Sequence, residues 1–165
     1  MNTIDTHSHF NLHQFGHDVS DSVARMVEAR VGTICVGIDL PTSDHAMRLA
    51  QEHRSIWACV GQHPTEWSKG FDEDEFRKLL EEPKVVAVGE CGLDYYREPD
   101  REGIAQQKEL FLKQIRLAHE YNLPLMLHIR PEQGGMTAYE EALTMLEAYK
   151  NEWGSMRGTA HFFVG

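Results

Sequence analysis

Short apolar runs alternate with amphipathic stretches from one end of the chain to the other. The runs are bounded by polar, glycine or proline residues, a pattern typical of buried β-strands. They predict six strands, at 3–9 (TIDTHSH), 33–38 (TICVGI), 56–62 (IWACVGQ), 85–90 (VVAVGE), 123–129 (LPLMLHI) and 158–164 (GTAHFFV).

The segments between the runs have apolar residues at every third or fourth position, which is the pattern of amphipathic helices. Five such segments give the order βαβαβαβαβαβ. This alternation, with strands that are apolar on both faces, predicts a parallel sheet covered by helices.

Two architectures fit this order of elements: an open doubly wound sheet and a TIM barrel. A complete barrel needs eight strands and about 250 residues, so six strands are too few to close one. The glycine-rich loops GxGxxG and GxxxxGK[ST], which would favour a nucleotide-binding open sheet, do not follow the first strand.

Composition adds limits on domain number and location. The 165 residues, 41% hydrophobic and 25% charged, fit one globular domain with a substantial core. No apolar run approaches the roughly 20 residues of a membrane helix, and the first residues do not resemble a signal peptide, so we expect a cytoplasmic protein without membrane contact. Cys35, Cys59 and Cys91 lie in apolar segments, which favours buried, reduced thiols.

The formal net charge of −10 argues against a basic surface that wraps nucleic acid. An acidic chain could still act on an anionic substrate if divalent metal ions supplied positive charge at a small site. The charge therefore excludes an extended nucleic-acid-binding surface but leaves a local site open.

Candidate metal ligands begin in the first predicted strand, at DTHSH. Because side chains alternate along a strand, Asp5, His7 and His9 point to the same side, and two imidazoles so placed can bind one metal ion. In a chain with ten histidines, this spacing can also arise by chance.

Further candidate ligands lie near the carboxyl ends of later strands, where α/β proteins place their sites. Glu90 ends the fourth predicted strand, His128 lies in the fifth and His161 in the sixth. Alone, each histidine is more simply a hydrogen-bonded core residue, and Glu90 a solvated residue at a loop. Their coincidence at one edge favours metal-dependent hydrolysis with Zn, Mn or Mg. His63 is a weaker candidate for a residue that lines the mouth of the site. Arg130 is a weaker candidate for a residue that binds a substrate phosphate.

Taken together, the segments DTHSHF, GQHP, GECGLDYY, QKELFLKQIRLAHEYNLPLMLHIR and GTAHFFVG resemble the TatD family of metal-dependent deoxyribonucleases. The likeness runs in order from Asp5 to Gly165. It implies an α/β fold of the parallel (β/α) TIM-barrel type, of which about six strands and five helices are present, in a single domain at 1–165 that is incomplete at its C-terminus.

The resemblance also implies a site for two divalent metal ions (Mg, Mn or Zn) that hydrolyses phosphodiester bonds in DNA. His7 and His9 correspond to the ligands of one metal ion, and His128 and His161 to those of the other. Glu90 corresponds to the catalytic carboxylate that bridges both. The remaining family positions are His63, Tyr95 and Arg130 around the substrate mouth, and Asp5 as support behind the metal ligands.

Members of this family continue with another helix and two more strands, the last bringing an aspartate in an ETD-like motif. Without that aspartate we expect weakened metal binding, and hydrolysis that is much reduced or absent. The first and sixth strands would be unpaired edges, so we also expect self-association or pairing with a missing fragment.

Two alternatives stay open on the sequence. Related barrels use similar ligands to hydrolyse C–N or ester bonds, because a fold does not fix a reaction. A noncatalytic remnant that binds metal or a partner is the other alternative.

Overall fold

A computed structural model describes residues 3–12, 18–97 and 100–161. The strands are β1 (Thr3–Ser8), β2 (Val31–Val36), β3 (Ile56–Val60), β4 (Val85–Asp94), β5 (Leu125–Arg130) and β6 (Gly158–His161). The helices are α1 (Val19–Glu28), α2 (Leu40–Glu52), α3 (Glu73–Leu80), α4 (Arg101–Glu120) and α5 (Thr137–Trp153), and a 3₁₀ helix covers Pro64–Lys69. In the described part of the chain, no helix is long and apolar enough to cross a membrane.

The six strands form one sheet in the order β1-β2-β3-β4-β5-β6, and every neighbouring pair is parallel. The sheet curves so far that the His7 ring on β1 stacks on the His161 ring on β6, with 3.9 Å between the ring centroids. The predicted parallel (β/α) barrel type, with six strands and five helices, is therefore confirmed.

Both faces of the sheet are buried, which explains why the strands are continuous apolar runs in the sequence. The larger core lies between the sheet and the helices and includes Phe76, Phe111 and Ile115. A smaller cluster of buried residues on neighbouring strands consists of Val36, Cys59, Ala87 and Met126.

The predicted state of the cysteines is confirmed, because Cys35, Cys59 and Cys91 are all buried and free. Burial raises the pKa of the Cys35 thiol to about 11. Burial likewise raises the pKa of the other two thiols. Thiols held in the neutral form are weak nucleophiles, so these cysteines belong to the core.

The prediction that β4 ends at Glu90 is wrong, because this strand continues to Asp94. Gly89 and Gly92 have φ values of +147° and +140°, and the pairing with β5 shifts register between Val88 and Cys91. A Cβ atom on Gly92 would lie 2.1 Å from the carbonyl oxygen of His128, so only glycine permits this approach of the two strands. The glycines bend β4 without ending it.

The other predicted strands overlap the observed ones, with ends displaced by up to two residues. His9 was placed inside the first strand, but β1 ends at Ser8 and His9 follows it. Residues 162–164 of the sixth predicted strand lie outside the described residues.

Two buried glutamines of α4 fix the backbone just after β3 and at the end of β4. Gln114 accepts from the backbone N–H of Gln62 at 2.8 Å and donates to its carbonyl at 2.8 Å. Gln107 accepts from the backbone N–H of Asp94 at 2.7 Å and donates to its carbonyl at 3.2 Å. Both anchored positions lie beside residues of the candidate site.

Candidate metal centre

Glu90 is the centre of the candidate site. This residue is 3% exposed, and its side chain is surrounded by histidines from four strands or the loops that follow them. The contacts to its carboxylate oxygens are His128 Nδ1 at 2.9 Å, His161 Nε2 at 3.1 Å, His7 Nε2 at 3.6 Å, His9 Nε2 at 3.7 Å and His63 Nε2 at 3.9 Å. The structure thus brings together all five predicted metal-ligating residues.

The two oxygens of Glu90 face different histidines. His7 and His9 approach Oε2, whereas His128 and His161 approach Oε1. A carboxylate with this division of contacts can bridge two metal ions.

The geometry around Oε2 suits a metal ion. The Nε2 atoms of His7 and His9 are 3.1 Å apart, and each lies within 3.7 Å of Glu90 Oε2. Ligand atoms about 2.0–2.2 Å from a common metal ion are separated by roughly 3.0–3.6 Å.

His9 is oriented for ligation by a backbone contact. Its Nδ1 lies 3.0 Å from the carbonyl oxygen of Val36 and therefore donates a hydrogen bond to it. The lone pair of a neutral imidazole is then on Nε2, which faces Glu90. Burial lowers the pKa of His9 despite the nearby Glu90 charge, which favours this neutral form.

His128 lies between two carboxylates. Nδ1 is 2.9 Å from Glu90 Oε1, and Nε2 is 3.0 Å from Asp94 Oδ2. Burial acts to lower the pKa of His128, but the hydrogen bonds with Asp94 and Glu90 outweigh it and raise the pKa. Ligation through either nitrogen requires that nitrogen to lose its proton.

His63 differs from the other histidines in its hydrogen bonding. It belongs to a group of three potential ligands with Glu90 and His128. However, the backbone N–H of Thr65 donates to His63 Nδ1 at 3.2 Å, which places the hydrogen of the neutral ring on Nε2. Burial, reinforced by His128, lowers the pKa of His63 to about 4. The ring therefore presents a neutral N–H donor toward Glu90, which suits contact with a substrate oxygen better than metal ligation.

A cavity of about 300 Å³ opens onto these groups and is lined in part by His63, Glu90, His128 and His161. A larger cavity of about 760 Å³ lies beside Asp39, Lys69 and Phe71 and has no histidine in its lining. Potential metal ligands converge at the smaller cavity, which makes it the candidate site.

The predicted residues around the mouth are not all at this cavity. Tyr95 is buried and donates its hydroxyl hydrogen to Glu141 on α5, lining a separate cavity of about 260 Å³. Arg130 lies with its guanidinium carbon 3.9 Å from the ring centroid of Tyr96. Asp5 is exposed and accepts a hydrogen bond from the backbone N–H of His7 at 3.1 Å. His63 lines the cavity, whereas Tyr95 and Arg130 do not.

Sequence reasoning missed Asp94. This residue is 0% exposed, contacts His128 and accepts two hydrogen bonds from Arg97. Burial acts to raise the pKa of Asp94, but the hydrogen bonds from His128 and Arg97 lower it, so the carboxylate is charged. Asp94 lies four residues after Glu90, and the two-residue period of a strand would have placed both on one face.

Comparison with known proteins identifies the family of this chain. The family model described as TatD related DNase matches residues 4–165. The uncharacterized metal-dependent hydrolase YabD of Bacillus subtilis (strain 168) is 37% identical over 164 residues, covering 98% of this chain and 60% of YabD. The 3'-5' ssDNA/RNA exonuclease TatD of Escherichia coli (strain K12) is 34% identical over 142 residues, covering 82% of this chain and 50% of that protein.

Among solved structures, the crystal structure of YJJV, a TatD homolog from Escherichia coli K12, matches with a TM-score of 0.83 and 28% identity. The match covers 99% of this chain and 61% of that one. The chain therefore spans between half and about three fifths of the length of these relatives.

Proposed function

Since the chain belongs to the TatD-related DNase family, we propose that it hydrolyses phosphodiester bonds in DNA with two divalent metal ions bridged by Glu90. The observation that carries this proposal is the division of contacts at Glu90, whose Oε2 faces His7 and His9 and whose Oε1 faces His128 and His161.

The proposed ligand sets divide the histidines by the Glu90 oxygen that they approach; His7, Glu90 and His161 also form a group of potential ligands. His7, His9 and Glu90 would hold one ion, and His128, His161 and Glu90 the other. Imidazole and carboxylate ligands are compatible with Zn or Mn, and Mg is also used in two-metal hydrolysis. When bound, such ions polarise a phosphate and make hydroxide available from water near neutral pH.

The chain's own residues would hold the metal ions and orient the ligands and the substrate. Burial alone would raise the pKa of Glu90, but hydrogen bonds with His128, His161 and His7 lower it well below the usual value, so Glu90 is charged. The Val36 carbonyl orients His9, and Asp94 orients His128. The Nε2–H group of His63 would donate to a non-bridging oxygen of the substrate phosphate.

The substrate we propose is single-stranded nucleic acid. TatD of Escherichia coli is named a 3'-5' ssDNA/RNA exonuclease. The cavity of about 300 Å³ is small, which favours an unpaired strand end over a duplex.

The 165 printed residues do not include a counterpart of the family's ETD aspartate. For a polypeptide of these residues alone, we propose slow hydrolysis and weakened metal binding. The edge strands β1 and β6 of the described sheet offer backbone groups for pairing, so we also propose self-association or pairing with a further barrel segment.

Metal stoichiometry and cleavage test the proposal together. Titration calorimetry of the 165-residue chain with Mn²⁺ or Zn²⁺ should give two ions per chain, and Glu90→Gln should lose both. A 5'-labelled single-stranded oligonucleotide should be shortened slowly with metal, but not with chelator or with Glu90→Gln.

Glu66→Gln is the matched control, because Glu66 lines the same cavity but pairs with Lys69 at 2.5 Å. One ion or none per chain would contradict the two-metal proposal. Metal-dependent hydrolysis of an amide or lactone, without cleavage of DNA, would instead support the C–N or ester alternative. Bound metal without hydrolysis of any of these substrates would support the noncatalytic alternative.

A further inference from the structure

Arg97 lies at the edge of the histidine cavity in a fixed position. It follows the end of β4 by three residues, and its backbone N–H donates to Asp94 Oδ1 at 3.0 Å. Its Nη1 donates to Asp94 Oδ2, also at 3.0 Å. Because Asp94 is fully buried and anchored by Gln107, these contacts hold the start of the Arg97 side chain beside the metal centre.

The guanidinium is nevertheless available to a ligand. The Arg97 side chain is 50% exposed and contributes to the lining of the cavity of about 300 Å³. The contact with Asp94 uses Nη1, whereas a guanidinium carries five N–H donors in a planar fork that matches phosphate geometry.

Arg97 supplies positive charge at a cavity that also contains carboxylates. The lining contains the carboxylates of Glu66 and Glu90, and among the described lining residues Arg97 is the one lysine or arginine. In the proposed site, the metal ions neutralise the scissile phosphate. A polynucleotide carries further phosphates, and a permanent cation beside the site can bind one of them.

Arg130, the arginine chosen from the sequence, is placed differently. Its guanidinium stacks over Tyr96 and does not contribute to the cavity lining. Arg97 follows β4, and Arg130 ends the neighbouring strand β5. Substitution of Arg130 is therefore a matched control for substitution of Arg97.

We propose that Arg97 is a substrate-binding residue that binds a phosphate next to the scissile one in single-stranded nucleic acid, while Asp94 holds its side chain in place. This inference rests on the proposed function. Arg97 would make the affinity for nucleic acid depend on substrate length, because a mononucleotide has no neighbouring phosphate.

The test compares Arg97→Gln, Arg97→Lys and Arg130→Gln in the metal-loaded chain. Binding of a fluorescent single-stranded oligonucleotide is measured by anisotropy at several salt concentrations. Arg97→Gln should weaken binding about tenfold and reduce the salt slope by about 0.7, the value for one phosphate contact on a single strand. Arg97→Lys should retain the salt slope, and Arg130→Gln should stay within about twofold of wild type.

Two further readouts separate direct contact from a structural role. Binding of a mononucleotide and the number of bound metal ions should both be unchanged in Arg97→Gln. Loss of metal, or an equal loss for mononucleotide and oligonucleotide, would show that Arg97 acts on the metal centre through Asp94 and would overturn the inference.

The inference and the proposed function fail in different ways. If the wild-type chain binds the oligonucleotide and Arg97→Gln binds it equally well, the inference is wrong and the proposed function stands. If the metal-loaded wild-type chain does not bind the oligonucleotide, both are wrong.

Discussion

Replacing Glu90 by glutamine should remove most of the stabilisation that metal ions give to the fold. Glutamine keeps the shape of the side chain but replaces a charged carboxylate with a neutral amide. Glu90 is buried and contacts both histidine pairs, so this single change affects every proposed ligand set.

The size of the effect follows from mass action. One ion at 100 times its dissociation constant stabilises the folded state by about 2.7 kcal/mol, so the two proposed ions together would contribute about 5.4 kcal/mol. For a domain of this size, 1 kcal/mol raises Tm by roughly 2–4 °C, so metal should raise the wild-type Tm by about 11–22 °C. Changing a residue that only supports a ligand costs about 10–100-fold in metal affinity, and loss of a bridging ligand should reach at least the upper value. At a 100-fold loss for each ion, the same metal concentration gives about 0.8 kcal/mol in total, which corresponds to roughly 2–3 °C.

Thermal melts followed by circular dichroism, with and without Mn²⁺ or Zn²⁺, provide the measurement. Glu66→Gln should keep the full metal-induced shift, because the Glu66 carboxylate pairs with Lys69. Urea melts without metal check that each variant folds. A metal-induced shift in Glu90→Gln as large as in wild type would refute the assignment of Glu90 as the bridging ligand.

Two further predictions concern the carboxylates of Asp94 and Asp39. Asp94→Asn weakens the orientation of His128 and should lower metal affinity by about 10–100-fold in calorimetry; an unchanged affinity would contradict that role. Burial acts to raise the pKa of Asp39, but its hydrogen bonds with Lys69 and Thr42 lower it overall. Asp39 therefore stabilises the fold above the unfolded-state pKa of about 4, and this contribution is lost as pH falls through the lower folded-state pKa. Urea melts of Asp39→Asn should show a smaller loss of stability in acid than wild type, and equal losses would contradict this.

The sequence was sufficient to predict the order of strands and helices along the chain and the group of residues around Glu90. Both depend on local rules: apolar runs and helical periods identify the elements, and parallel strands bring their carboxyl ends to one edge. His7, His128 and His161 could be placed together in this way without knowledge of any loop, because each lies within a strand.

The exact end of β4 could not be predicted in the same way. Gly89 normally suggests that a strand is ending, and the polar Glu90 that follows it strengthens that interpretation. In the fold, Gly89 and Gly92 let β4 approach β5 closely and continue to Asp94, a tertiary contact that has no local signal. The same error concealed Asp94 and Arg97.

The role of Tyr95 shows a second limit. The family resemblance implies that Tyr95 lies at the mouth of the site, but its hydroxyl donates to Glu141, which also pairs with Lys108 at 2.8 Å. Glu141 lies on α5, far away in sequence, so the direction of the Tyr95 side chain depends on how that helix packs. A residue's place near the end of a strand therefore predicts its neighbourhood but not the partner of its side chain.

The glutamines of α4 explain why this fold can place charged and polar groups so closely around Glu90. Gln107 and Gln114 are seven residues apart, so two helical turns bring them to the same face of the helix. Each makes a reciprocal pair of hydrogen bonds with one backbone residue, Asp94 or Gln62, and so satisfies polar groups that would otherwise be buried without partners. Gln62 precedes His63, and Asp94 contacts His128. One helix face thus sets the positions of two site segments, and the cost of burying these amides is offset by their hydrogen bonds to the backbone from which the candidate metal centre is built.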